Sequence, residues 1–155
     1  MKLQFIWIGK TKNAAIRELA NDYLERLKKY CRVEITELRD RDDAGGVKLR
    51  LIEKEGEEIL QHLEADAFLI ALDERGREMT SQQFAEFFEK HRLAGTKQLT
   101  FVIGGHLGLA EKVKKRANLT LALSRMTLTH ELARIFLLEQ AYRAFAILHG
   151  SPYQK

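Results

Sequence analysis

The chain has little cysteine, proline or tryptophan, with one of each in 155 residues. A single cysteine, Cys31, excludes an intramolecular disulfide and supplies no cysteine-based zinc motif. No activating residue stands beside it, so we expect a structural thiol near the start of a strand rather than a nucleophile. The one proline, Pro152, lies in the tail, and no repeat, low-complexity tract or interdomain linker is visible. No apolar run reaches the length of a membrane span. The opening residues, Met1-Lys-Leu-Gln-Phe-Ile-Trp-Ile8, are too short for a signal peptide and lead directly into a polar turn. The expected location is the cytoplasm, and the expected organisation is one domain over residues 1–155.

Hydrophobic residues make up 45% of the chain and charged residues 31%, which suits a soluble globular domain with a substantial core. The net charge of +4 is mildly basic, and its distribution says more than its size. Lys10, Lys12, Arg26, Lys28, Lys29 and Arg32 form amino-terminal basic clusters, and Lys112, Lys114, Lys115 and Arg116 form another. Between them Glu53, Glu55, Glu57, Glu58, Glu64 and Asp66 read as an acidic helix. Any one cluster is explained by a solvated helix face. Together the basic ones permit a polyanionic partner such as RNA, attracted through its phosphates.

Apolar runs alternate with helical patterns along the chain. Strands are predicted at Leu3–Ile8, Val33–Leu38, Phe68–Leu72, Leu99–Ile103 and Leu119–Leu123. Helices are predicted around Asn13–Tyr30, Lys48–Leu63, Ser81–Leu93, Leu109–Arg116 and Glu131–His149. In the first helix Ile16, Leu19, Ala20, Tyr23, Leu24 and Leu27 define one apolar stripe. Ser81 is the expected cap of the third, whose Phe84, Phe87 and Phe88 read as core. Alternating βα units imply an α/β fold, a mostly parallel sheet with helices on both faces. The segment 39–46, charged and ended by Gly45 and Gly46, is the expected mobile surface loop. The last helix is apolar nearly all round and must be covered on more than one side. A homodimer through that helix is the natural cover.

Two stretches read as a ligand site. Gly104-Gly105-His106-Leu107-Gly108 follows an apolar strand, and Leu123-Ser-Arg-Met-Thr-Leu-Thr-His130 leads from the last strand into the last helix. In open α/β sheets ligands sit beyond the carboxyl ends of strands. Leu72-Asp73-Glu74-Arg75-Gly76 should end the third strand beside the glycine turn. Gly9-Lys10-Thr11 mimics a phosphate-binding loop but has Gln4 where that loop needs its first glycine. The adjacent Gly104 and Gly105 do not match the dinucleotide fingerprint, which argues against a nucleotide-linked dehydrogenase. Arg134 and Arg143 can pair along the last helix with Glu131 and Glu139, and His130 opens that helix, where its protonated form is disfavoured.

In order and spacing, Leu72-Asp-x-x-Gly76, Ile103-Gly-Gly-x-x-Gly108, Ser124-x-Met-Thr-Leu-x-His130, Arg134, Glu139-Gln-x-Tyr-Arg-Ala144 and Pro152-Tyr153 carry a family resemblance. The chain resembles the small SPOUT-superfamily methyltransferases that modify N3 of a pseudouridine in bacterial large-subunit (23S) ribosomal RNA. The resemblance covers essentially the whole chain. It implies a carboxyl-terminal trefoil knot, S-adenosylmethionine bound there, no metal, an obligate homodimer and action on the large subunit or assembled ribosome. Carried onto matching positions, the cofactor residues would be Leu72, Gly104, Leu123, Ser124, Arg125, Met126, Thr127 and Leu128. His130 would assist removal of the N3 proton or hold the base, Arg134 would stabilise the developing anion, and Tyr153, of the same or the other subunit, would position substrate. Gln154 stands where the family usually has histidine, so no base is assigned there. Thr129 replaces a frequent proline and can cap the helix. A non-catalytic RNA-binding or ribosome-assembly module is the competing reading.

Overall fold

The computed structural model describes residues 1–40 and 48–154. The segment 39–46, expected as a surface loop, falls from position 41 onward outside the described residues. Ten main elements follow one another: β1 (Lys2–Ile8), α1 (Ala14–Leu27), β2 (Arg32–Leu38), α2 (Lys48–Gln61), β3 (Phe68–Glu78), α3 (Ser81–Leu93), β4 (Gln98–Ile103), α4 (Glu111–Arg116), β5 (Leu119–Ala122) and α5 (His130–Leu148). A short 3-10 turn at Pro152–Gln154 follows. The five strands form one sheet in the order β2-β1-β4-β3-β5, and every pair is parallel.

The strands are apolar on both faces because both faces are covered. On one side Leu3, Phe5 and Trp7 of β1 and Leu99, Phe101 and Ile103 of β4 meet α1, α3 and α5. Phe101 stacks on Phe5, and Phe88 of α3 lies edge-on to Phe145 of α5. On the other side Ile6 and Ile8 of β1, Leu69 and Ala71 of β3 and Val102 of β4 meet Ile59 of α2 and Val113 of α4. The connections leaving β3 and β4 therefore go to opposite faces, which opens a crevice at their carboxyl ends.

Several elements differ from the sequence reading, each for a local reason. Asn13 caps α1 rather than belonging to it, accepting from Ile16 N at 3.1 Å. Thr80, not Ser81, caps α3: it accepts from Gln83 N while the Gln83 side chain accepts from Thr80 N. Ser81 instead donates to Gln140 of α5 at 2.7 Å. The acidic helix stops at Gln61, leaving Glu64 and Asp66 beyond it. Leu19 lies on the exposed side of α1, outside its buried stripe.

The largest difference is in β3. The turn expected after Leu72 is a strand irregularity: Leu72 and Arg77 both register with Leu121 of β5, and the strand runs on to Glu78. Gly76 makes this possible. A Cβ there would lie 2.7 Å from the backbone N and C of Leu121, closer than van der Waals contact allows.

Candidate active site

A cleft of about 690 Å3 opens at the carboxyl ends of β3, β4 and β5, within the range of sites for small organic ligands. Leu72, Asp73, Glu74 and Arg75 border it from β3, and the glycine turn 103–109 borders it from β4. Leu121, Leu123, Ser124 and the run 126–129 enclose it from the β5 side, and His130 and Ala133 from α5. The turn after β4 closes on itself through Gly108 N to Gly105 O at 3.0 Å. A side chain at Gly104 would meet the backbone of Gly108 at 2.6 Å, so the fold of the turn itself demands glycine. The opposite loop is held by Met126 N donating to Ser124 Oγ at 2.9 Å. Its Thr127 hydroxyl donates to Glu74 at 3.0 Å, joining the two walls.

Of the residues expected at a site, Leu72, Gly104, Leu123, Ser124, Met126, Thr127, Leu128 and His130 converge on this cleft. Three do not. Arg125 is exposed and pairs with Glu78 at 2.6 Å. Tyr153 lies in the tail against the carboxyl-terminal half of α5, where its hydroxyl donates to Glu139 and shares a hydrogen bond with Tyr23, each at 3.2 Å.

Arg134 is not among the residues lining the cleft, and its hydrogen bonds go to the end of β1 and the residues after it rather than to Glu131. Only 1% of Arg134 is exposed. Its Nη1 donates to Thr11 Oγ1 at 2.9 Å and its Nη2 to the Ile8 carbonyl at 2.6 Å. Its guanidinium lies 5.2 Å from the Trp7 ring centroid. Glu131 is occupied elsewhere, accepting from the backbone N–H groups of Lys12 and Asn13. Arg134 thus locks the first turn of α5 to the end of β1. The other expected pair forms: Arg143 donates to Glu139 at 2.6 Å.

His130 sits one helical turn before Arg134, half-buried, at the start of α5. Thr129 caps the helix by accepting from Leu132 N at 3.3 Å. Burial pushes the imidazole below its ordinary value of 6.5, and the charges of Arg134 and His106 push it the same way, against Glu131 and Asp40. His130 is therefore neutral near pH 7 and able to accept a proton. Cys31 has no such competence: burial pushes its thiol up to about 11.

Sequence reasoning gave no role at the cleft to Asp73, Glu74, His106 or Lys114 as individual side chains. Asp73 and Lys114 pair across it at 2.5 Å. Burial pushes the Asp73 carboxyl up, but hydrogen bonds from Lys114 and from Arg75 N outweigh it and leave the group below its ordinary range. The basic clusters are in good part compensated inside the chain: Lys112 pairs with Glu53 and Glu57, Arg26 with Asp22, and Lys28 with Glu25. Among the described residues no group of three or more His, Cys, Asp or Glu side chains is placed to hold a metal ion. No described helix is long and apolar enough to cross a membrane.

Residues 1–154 match the family described as "Predicted SPOUT methyltransferase". The chain belongs to the SPOUT methyltransferases. A protein of Trichlorobacter lovleyi named "Ribosomal RNA large subunit methyltransferase H" is 47% identical over 153 residues, which covers 99% of each chain. Proteins of the same name from Clostridium botulinum (strain Kyoto) and Geotalea daltonii are 43% and 42% identical, over 100% and 99% of each chain. In this SPOUT methyltransferase the cleft gathers the glycine turn after β4 and the loop 123–128 at one place.

Proposed function

We propose that this SPOUT methyltransferase uses S-adenosylmethionine to methylate N3 of a pseudouridine in 23S ribosomal RNA, on the large subunit or the assembled ribosome. One observation carries the reading beyond family membership. Segments far apart in sequence, at Leu72, Gly104 and residues 123–128, line one cleft. The names of the full-length relatives support the ribosomal substrate.

The residues present fit the cofactor. Leu72, Leu123 and Leu128 offer apolar walls for a purine, and Gly104 lets the turn that borders the cleft fold tightly against Gly108. Bound there, S-adenosylmethionine supplies an electrophilic methyl group. N3 of a uracil-like ring bears a proton that must leave before its lone pair can attack. The neutral imidazole of His130 takes that proton. Arg134, held away from the cleft, acts as a positioning residue: it anchors the start of the helix that carries His130, and its charge adds to the burial that lowers the imidazole. Arg125, outside the cleft, serves the loop through its pair with Glu78.

To the same reading belong the carboxyl-terminal trefoil knot, a cytoplasmic location and a homodimer in which Tyr153 of one subunit serves the substrate of the other. The dimer is supported by α5, where Leu132 and Phe136 are 50% and 40% exposed one helical turn apart. The deciding assay incubates the protein with labelled S-adenosylmethionine and ribosomes lacking the modification, then maps the label by nuclease digestion and mass spectrometry. N3-methylpseudouridine at one large-subunit position is expected. RNA binding with neither cofactor binding nor transfer would replace this reading with a non-catalytic assembly module.

A further inference from the structure

The cleft is not uniform. Leu72, Ile103, Leu109, Leu121 and Leu128 give its lining apolar surface, and Asp73 and Lys114 add a pair of opposite charges. Among the described residues theirs is the one ion pair with both partners lining the cleft. Both are partly withdrawn from water, with side-chain exposures of 16% and 29%. Each is also pre-positioned. Asp73 Oδ1 accepts from Arg75 N at 2.9 Å, which fixes the carboxylate. Lys114 stands in the last turn of α4, and Glu111, the other carboxylate near it, is more distant at 3.7 Å.

A carboxylate and an ammonium in contact, neutral as a pair and facing a ligand cleft, complement a ligand end that is itself a zwitterion. Resting on the assignment of S-adenosylmethionine to this cleft, we infer that Asp73 and Lys114 form the subsite for the cofactor's α-amino-acid end. Lys114 takes the carboxylate and Asp73 the α-ammonium. Binding exchanges one internal ion pair for two charge-assisted contacts in a partly desolvated place, where such contacts are strong. The pair then selects for the amino-acid end, while the apolar walls hold the purine without discriminating by charge. The competing explanation is that the ion pair merely ties α4 to β3, an interaction of small worth at a partly exposed site.

Two ligands separate these readings. S-adenosylhomocysteine carries the amino-acid end, and 5′-methylthioadenosine lacks it. Calorimetric titration of the full chain with each is compared for the unmodified protein and for Lys114→Met, Lys114→Arg and Asp73→Asn. Lys114→Met and Asp73→Asn are expected to weaken S-adenosylhomocysteine about tenfold or more, with 5′-methylthioadenosine unchanged within about twofold. Lys114→Arg, which keeps the charge, restores most of the S-adenosylhomocysteine affinity. Equal losses for both ligands, or no loss for either, overturn the subsite and leave the cofactor assignment standing. Failure of both ligands to bind the unmodified protein overturns the cofactor assignment and the subsite with it.

Discussion

Replacing Arg134 by methionine separates an anchor from a catalytic group. In the folded chain its guanidinium makes two hydrogen bonds, to Thr11 Oγ1 and to the Ile8 carbonyl. Hydrogen bonds to charged groups contribute about 1.5–3 kcal/mol each, so the two together stabilise by about 3–6 kcal/mol. Against this stands Nε, buried and without a partner, which costs about 1–3 kcal/mol in the native state. Methionine retains much of the packing over Trp7 and removes the unmet Nε. Taking the low and the high ends together, the expected net destabilisation is about 2–3 kcal/mol. For a chain of this size that lowers the thermal midpoint by about 4–12 °C. Thermal and urea unfolding followed by circular dichroism measure it, with the urea slope unchanged if the loss is purely one of stability. Arg134→Lys should recover little, because an ammonium cannot span both acceptors. A variant as stable as the parent but devoid of transfer activity would refute the argument and return the guanidinium to the substrate.

Other outcomes follow from the same geometry. Gly76→Ala places a methyl group against the backbone of Leu121 and should cost about 2 kcal/mol or more, read as a lowered midpoint together with weakened binding of S-adenosylhomocysteine. On the proposed role of His130 as the base, whose imidazole burial holds below 6.5 in the folded chain, kcat/KM should rise with pH and level off before neutrality, and His130→Gln should abolish that inflection. The unfolded chain binds the proton more readily, so this group also makes folding stability fall as pH drops below about 6.5. On the proposed dimer through α5, the unmodified protein should sediment as a dimer and Phe136→Glu, at a position exposed in the single chain, as a monomer with an intact far-ultraviolet spectrum.

The order of strands and helices could be read from the sequence because burial on both faces leaves continuous apolar runs such as 99–103. What escaped was decided by partners distant in sequence. The extension of β3 beyond Leu72 consists of charged residues, and only its registration against Leu121 makes it a strand. Thr80 displaced Ser81 as a cap through its reciprocal bond with Gln83, a pattern the sequence does contain. Leu19 fits the apolar stripe by spacing, yet it is 43% exposed. At the site, the glycine turn and the loop 123–128 were recognisable because short motifs carry them. The burial of Arg134 was not, since Thr11 and Ile8 lie more than a hundred residues earlier. Nor was the pairing of Asp73 with Lys114, which requires α4 to be folded back against the end of β3.

The strand order has a consequence for how the chain comes into being. β1 is made first but lies between β2 and β4, registering Lys2 with Gln98 and Trp7 with Ile103. An emerging chain can pair β1 with β2, but the middle of the sheet has to wait until residues 98–103 have been synthesised. The bonds from Arg134 back to Ile8 and Thr11 come later still, spanning 126 and 123 residues. Contacts of such separation make folding slow, because long loops must close before they are rewarded. A nascent chain stalled before α5 would have its sheet but not its last helix, and so neither His130 nor a finished wall to the cleft. The cleft is therefore complete only once α5 has been made and docked.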